Sequence, residues 1–545
     1  MNQPQLFDNI EASAVSLDDA ANQLNVSVAS IRNWIKTGYL EQIGKSVISL
    51  KTFEDFKKTV AGGAKLTARA NKSLKDSHNH KELLQEYYSL ISKHEIKGYD
   101  LGLRYEEALS DSYRNKEGIY YTPPNVVARF FHYLPKDCSN LSFCDPCCGS
   151  GNFIIAAIEY GISPENIFGY DTDPFAVEVT KKRIFELTGY KTDNIQYCDF
   201  LESTLQKNKR LFDIIFTNPP WGKKINKFQK ELYAKSTGSA KSTDTSSLFF
   251  FECLSRLTDD GYLGFLLQDA FFNISSYEDA RKKALEFQII SIIDFGKPFK
   301  GLLTKAKGII INNTKPIKEH IIQCSDISTF HSRLQSSFLK NPKFILNSSA
   351  SKEESDTVSH LYELPHTTLY NQARWGLGIV TGNNKKFIQN TPRKNYVPAY
   401  RGLDIKECGI SEPTSYIPDN LSLYQQVAPI SLYQAGEKLI YKFISSKLVF
   451  FCDKNQRYIL NSANMLIPHK SFPLNQVQLK QILNSKVINW LFRTVFDTHK
   501  VLRSDLEVLP IHFEYFKNNT TFNEHEFNQY LKVEELDDGS FRIKK

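Results

Sequence analysis

Residues 143–153 read "FCDPCCGSGNF", and the order of chemistry in that stretch decides the fold. An apolar run closes on an acid, Asp145, and Gly149-Ser150-Gly151 then open the apolar helix pattern "GNFIIAAIEYG". In an open α/β sheet, ligands sit beyond the carboxyl ends of the strands, and a glycine turn lets backbone approach them closely. The same alternation recurs downstream. "NIFGYD" precedes "PFAVEVTKKRIFELTG"; "IQYCDF" follows; "FDIIFTN" precedes "SSLFFFECLSRLT"; then come "GYLGFLLQ", "YEDARKKALEFQ", "IISIIDF" and "GIIIN". Continuous apolar strands separated by amphipathic helices predict an α/β, Rossmann-like, mainly parallel sheet buried on both faces.

Three successive strands of this sheet end in acids. Asp171 in "GYDTDP" is placed to hold ribose hydroxyls. In "CDF", Asp199 is placed to accept from an adenine amino group while Phe200 packs against the ring. The glycine spacing is not the dinucleotide G-x-G-x-x-G, and no P-loop lysine follows. Acid, acid, acid at strand ends describes a nucleoside site without phosphates, although each carboxylate alone also suits a helix N-cap.

Composition bounds the rest. With 545 residues the chain exceeds one core. Lys+Arg 68 against Asp+Glu 60 gives a mild +8, which permits an acidic polymer as partner without demanding one. Nine cysteines are scattered, and the single C-x-x-C, Cys144 to Cys147, lacks a second pair at zinc spacing; no metal and no disulfide are expected. No stretch reaches the roughly twenty apolar residues of a membrane span, and the N-terminus lacks a secretory pattern. A cytoplasmic protein with no membrane contact is expected.

The motifs "DPCCGSGNF", "YDTDP", "CDF" and "NPPW", in that order, resemble those of S-adenosylmethionine-dependent amino-methyltransferases of DNA. "GIYYTPPNVVARFF", lying before the glycine turn, resembles the family motif that meets the cofactor's methionine end, and the order resembles the γ class of restriction–modification systems. The resemblance implies that Thr122 contacts the cofactor carboxylate, that Asp145, Cys147, Gly149 and Gly151 line the methionine moiety, and that Phe250 is a pocket aromatic. Cys147 departs from the commoner alanine or glycine. "WGLGIVTGNNKKF", "YVPAYRGLDI", "KLIYKFISSKLVFFCD" and "NSANMLIP" resemble C-terminal target-recognition domains of this class.

"NPPW", Asn218-Pro219-Pro220-Trp221, then acquires a chemical reading. An exocyclic amine is a poor nucleophile because its lone pair is delocalised into the ring. Acceptors at the Asn218 amide oxygen and the Pro219 carbonyl would draw the nitrogen towards tetrahedral geometry, and preorganised acceptors act most strongly where charge develops. Pro220 helps restrict the turn. Trp221 would stack on a base swung out of the duplex, with Phe299, by resemblance, on its other face. Asparagine rather than serine at 218 favours adenine over the N4 of cytosine.

Four segments are expected: a winged helix-turn-helix at 1–62, a linker and helical lead-in at 63–112, the methyltransferase domain at 113–318, and a mixed α+β target-recognition domain at 319–545. In the first, Ala21, Leu24, Val26, Ile31 and Trp34 mark two short helices before a hairpin, a pattern resembling MerR- and excisionase-like proteins. Its second helix offers Arg32, Asn33 and Lys36 to a major groove. It either helps hold the target or regulates transcription. After Trp221, a basic loop with Lys223, Lys224 and Lys227 is expected to clamp phosphates. In the third region, residues 474–496 suggest one long helix. The expected partner is double-stranded DNA, shared as a site with a cognate restriction endonuclease, in a bacterial, nucleoid-associated monomer. Two other readings remain: an N4-cytosine methyltransferase, or a DNA-binding regulator with a vestigial methyltransferase fold.

Overall fold

The computed structural model describes residues 14–24, 28–36, 40–44, 46–59, 85–91, 95–109, 120–205, 209–223, 225–239, 242–299, 304–326 and 328–544. Of the linker and helical lead-in expected at 63–112, residues 63–84 lie outside them. The chain divides into two compact units: residues 1–233 with 244–249, and 234–243 with 250–545.

The first unit begins with strand β1 (Ala14–Ser16), helices α1 (Leu17–Gln23) and α2 (Val28–Lys36), the hairpin β2 (Gln42–Gly44) and β3 (Val47–Ser49), and helix α3 (Leu50–Thr59). The strands pair in the order β1-β3-β2, all antiparallel. The Ser16 hydroxyl caps α1 by accepting from the Asp19 amide at 3.0 Å. So short a segment needs an efficient core, and it builds one around Trp34, 1% exposed, whose ring lies 4.6 Å from that of Phe56. Ile31, Ile48 and Phe53 complete it.

Helix α4 (Gly98–Ala108) and helix α5 (Pro124–Phe131) lead into the sheet strands β4 (Phe143–Asp145), β5 (Ile167–Asp171), β6 (Ile195–Tyr197) and β7 (Phe212–Thr217). These lie in the order β7-β4-β5-β6 and every pair is parallel. Helices α6 (Asn152–Glu159) and α7 (Pro174–Thr188) follow β4 and β5. The chain lays down β4, β5 and β6 in one direction and then returns to place β7 on the other side of β4. That reversal is where a crevice opens at the carboxyl ends of the strands.

Two sequence expectations change beyond β7. The stretch after Trp221 is not all loop: residues Lys227–Thr237 form helix α8, stabilised by the i,i+4 pair Lys227–Glu231 at 3.7 Å. Helix α9 (Thr245–Ser255) follows. In the second unit the strands β8 (Leu257–Gln268), β9 (Gln288–Asp294), β10 (Ala306–Asn312), β11 (Ile321–Ser325) and β12 (Phe330–Leu334) lie in the order β12-β11-β9-β10-β8. β10 is antiparallel to both neighbours. The short connection from β9 to β10 leaves no room for a crossover helix, so a hairpin forms. β11 pairs with β9, so this sheet extends past the boundary expected at 318.

The remainder of the second unit carries a four-stranded antiparallel sheet in the order Ala373–Leu377, Ala463–Pro468, Lys438–Lys442, Phe450–Asp453. The fully buried Lys438 ammonium lies 2.7 Å from Asp453, which also meets Arg457 at 2.6 Å. Residues 382–386 and 390–395, with Lys385, Lys386, Arg393 and Lys394, are exposed. The single helix expected at 474–496 is two, Gln476–Asn484 and Lys486–Phe496. Ser485 between them is extended (φ −60°, ψ 151°), and its hydroxyl caps the second by accepting from the Ile488 amide. Among the described residues no helix is long and apolar enough to cross a membrane.

Trp34→Ala should remove about 3–5 kcal/mol, a large share of what so small a core supplies. Hydrogen exchange should then show amide protection lost throughout residues 14–59 while the β4–β7 sheet stays protected.

Candidate active site

Asp145, the last residue of β4, is 1% exposed. Its carboxylate accepts from the Thr217 hydroxyl on β7 at 2.7 Å and from the Cys147 amide at 3.1 Å. Burial outweighs these bonds and pushes the carboxyl up to about 7. The chain then turns through Gly149, at φ +50°, where an added Cβ would sit 3.0 Å from the Tyr121 ring. The Gly149 amide donates to Asp171 at 2.8 Å, and so does the Asp173 amide. Asp171 is pushed up to about 6, again chiefly by burial, with the positive charge of Lys223 working the other way. Asp173 caps α7 and accepts from the Tyr105 hydroxyl of α4 at 2.9 Å.

A cavity of about 260 Å³ opens beyond the strand ends, near the lower bound of roughly 300 Å³ for small-molecule sites. Asp171, Asp199 and Phe200 line it together with Cys147, Gly149, Asn218 and Pro220. Phe200 packs 5.3 Å from Tyr170 and stacks on Phe249 at 6.2 Å and 12°. A smaller recess adjoins it, bounded by Thr122, Asp145 and Asn152, and shares Cys147, Gly149 and Asn218 with the larger cavity. Asn218 stands where β7 ends. Its Nδ2 donates to the Tyr120 carbonyl at 3.0 Å. Its Oδ1 is buried and has no hydrogen-bond partner among the described residues.

Several sequence expectations land elsewhere. Gly151 does not line either cavity; it is glycine because φ is +86° and an added Cβ would meet the Thr180 side chain at 2.8 Å. Phe250 is fully buried against Phe251, Phe265 and Phe271, and its neighbour Phe249 takes the cavity wall. One residue along a helix turns the side chain by about 100°. Lys223, expected on a phosphate clamp, lines the cavity. Lys227 is exposed, and Lys224 lies outside the described residues. Pro219 is buried, Trp221 is half-buried outside the two cavity linings, and Phe299 is buried in the second unit. Arg32 is exposed on α2; the side chains of Asn33 and Lys36 lie outside the description. Among the described residues no three His, Cys, Asp or Glu side chains are placed to hold a metal ion. The contributions missed in the sequence are Tyr121, Lys223, Phe249 and the Tyr120 carbonyl. The quoted "GIYYTPP" held the only sequence signal for the two tyrosines.

The N-6 DNA methylase family model matches residues 96–341, and that of the TaqI-like C-terminal specificity domain matches 397–511. The Type II methyltransferase M.VspI of Vibrio sp. (strain 343) is 51% identical over 409 residues, covering 75% of this chain and 100% of its own. The modification methylase CviBIII of Paramecium bursaria Chlorella virus NC1A is 26% identical over 223 residues, 38% of this chain and 53% of the relative. Among solved structures, the DrdV–DNA complex superposes with TM-score 0.51 and 14% identity over 76% of this chain and 56% of that one. The Type IIL restriction-modification enzyme MmeI in complex with DNA does so with TM-score 0.50 and 13% identity, over 76% and 71%. At these identities the likeness is one of fold.

The raised carboxyls fix a sign. Above the ordinary 3.8, and up to about 6 for Asp171 and about 7 for Asp145, the folded chain holds protons that the unfolded chain has released. Their contribution is therefore fully present below 3.8 and is lost as pH rises from there through 6 and 7. Urea midpoints measured across this range should show Asp145→Asn losing less stability towards pH 8 than the parent.

Proposed function

We infer the chemistry of this site from one premise: the chain belongs to the N-6 DNA methylase family and is a DNA adenine methyltransferase of a restriction–modification system. S-adenosylmethionine is the methyl donor throughout that family, and when bound it supplies an electrophilic methyl group on a cationic sulfur. The residues present fit it. The larger cavity is faced by Asp171, Asp173 and Asp199, charges that suit a cation, with Phe200 and Phe249 as flat apolar walls. We assign the ribose to Asp171, the adenine to Asp199 and Phe200, and the methionine end to Thr122, Asp145, Cys147 and the Gly149 turn.

The observation that carries the catalytic assignment is the Asn218 amide. With Nδ2 committed to the Tyr120 carbonyl, Oδ1 is left as a fixed acceptor on the cavity. A target adenine amine would donate one hydrogen to it and the other to the Pro219 carbonyl. The lone pair then localises on nitrogen, and no strong base is required because alkylation itself acidifies the remaining proton. Trp221 is proposed to stack on the swung-out base. Flipping costs a few kcal/mol, and such stacking offsets part of it.

DNA is the substrate, and residues 397–511 supply specificity. The N-terminal module is proposed to be a winged helix-turn-helix whose α2 meets DNA through Arg32, Asn33 and Lys36; it either helps hold the target or regulates transcription. Lys227 is proposed to meet phosphate. Action as a monomer, alongside a cognate endonuclease that cuts the same site, completes the reading.

Purified protein incubated with plasmid and labelled cofactor should place the label on adenine N6; label on cytosine would move the assignment to the N4 class. Asn218→Ala should slow turnover by at least about 100-fold while cofactor binding by calorimetry is retained. Deleting residues before Lys81 should leave plasmid methylation unchanged if the module is regulatory, and should raise the KM for DNA if it holds the target.

A further inference from the structure

The orientation of Asn218 depends on the Tyr120 carbonyl, so whatever holds residues 120–122 also aims the catalytic acceptor. Two side chains outside the proposed catalytic set do this. Asn152, the first residue of α6, donates through Nδ2 to the Thr122 carbonyl at 2.7 Å. Its Oδ1 accepts from the Arg183 guanidinium at 2.7 Å, and the same Arg183 nitrogen donates to the Ser150 carbonyl at 2.5 Å. Arg183 comes from α7, is 9% exposed, and its guanidinium lies 5.2 Å from the Tyr99 ring of α4. A buried guanidinium bonded to a turn carbonyl and to an amide oxygen has little freedom to move.

We propose that Asn152 and Arg183 are positioning residues for methyl transfer: they clamp the Tyr120–Thr122 segment onto the glycine turn, so that one strap sets both the recess bounded by Thr122 and the direction of Asn218. The inference rests on the reading of Asn218 as the amine acceptor and adds to it a dependence on residues outside the proposed catalytic set. The strap is shared. Thr122 and Tyr121 border the smaller recess, while Tyr120 two residues earlier carries the Asn218 bond. The Tyr121 amide is held from the other side by Glu106 of α4 at 3.2 Å, so loss of the Asn152 bond shifts the strap without releasing it.

Asn152→Asp separates the two halves of the clamp. The carboxylate keeps, and strengthens, the contact with Arg183, but it has no hydrogen to donate and repels the Thr122 carbonyl. With the full chain, unmethylated plasmid DNA and saturating S-adenosylmethionine, kcat should fall about 10- to 100-fold, as expected when a reacting group is misplaced by around 1 Å. The unfolding midpoint should stay within a few degrees of the parent. A purely structural or cofactor-binding role predicts instead a raised KM for S-adenosylmethionine with kcat recovered at saturation, and that result overturns the proposal. Should Asn152→Asp fail to fold, Arg183→Met, which keeps a long side chain but has no hydrogen to donate to either acceptor, decides: a lowered kcat at saturation supports the clamp and an unchanged one overturns it. Asn218→Ala run in parallel separates the two readings. If Asn218→Ala is inactive while the clamp variants keep full kcat, only the clamp is wrong; if Asn218→Ala turns over normally, the acceptor reading itself has failed.

Discussion

The hydrogen bond from Asn218 Nδ2 to the Tyr120 carbonyl is the constraint on which the site depends. A carboxamide can rotate by half a turn and exchange donor for acceptor at little cost in shape. Here the backbone carbonyl accepts only the nitrogen, so the oxygen is turned to the cavity and kept there. A donor entering the cavity therefore meets an acceptor that is already aimed at it. The amine of a swung-out adenine, with two hydrogens to give, is such a donor.

Topology explains why so few residues suffice. Because β7 returns beside β4, the Thr217 hydroxyl of one strand bonds the Asp145 carboxylate of the other, one residue before the catalytic turn. Asp145 and Asn218, proposed for the cofactor and the amine, are thereby fixed to one another across two adjacent parallel strands. Gly149 then bonds Asp171 at the end of β5, which extends the same rigid arrangement by another strand. Reactants held by such an arrangement need little further ordering before transfer.

Much of this was legible in the chain. Asp145, Asp171, Asp199, Phe200 and Asn218 each end an apolar run, and a parallel sheet brings the ends of such runs to one edge whatever else the chain does. What was not legible depended on phase or on long-range partners. "SSLFFFECL" offers three adjacent phenylalanines, and only the rotation of α9 decides that Phe249 meets the cavity while Phe250 joins the core. Lys223 read as one lysine of a basic run, and its place on the cavity wall is set by a turn that composition does not reveal. The β9–β10 hairpin and the break at Ser485 were hidden for a related reason: an apolar strand carries no mark of its direction, and a serine inside a helical pattern becomes a cap only when the chain bends there.

In the second unit, the buried Lys438–Asp453–Arg457 cluster ties its strands together from inside, whereas Lys385, Lys386, Arg393 and Lys394 stand on exposed segments. The residues that keep this part folded and the residues that could meet an outside molecule are therefore different residues. Truncating the cluster would leave an uncompensated charge in the interior, whereas a substitution on the exposed segments removes no buried partner. A surface of this kind can be rewritten residue by residue while the sheet beneath it keeps its shape.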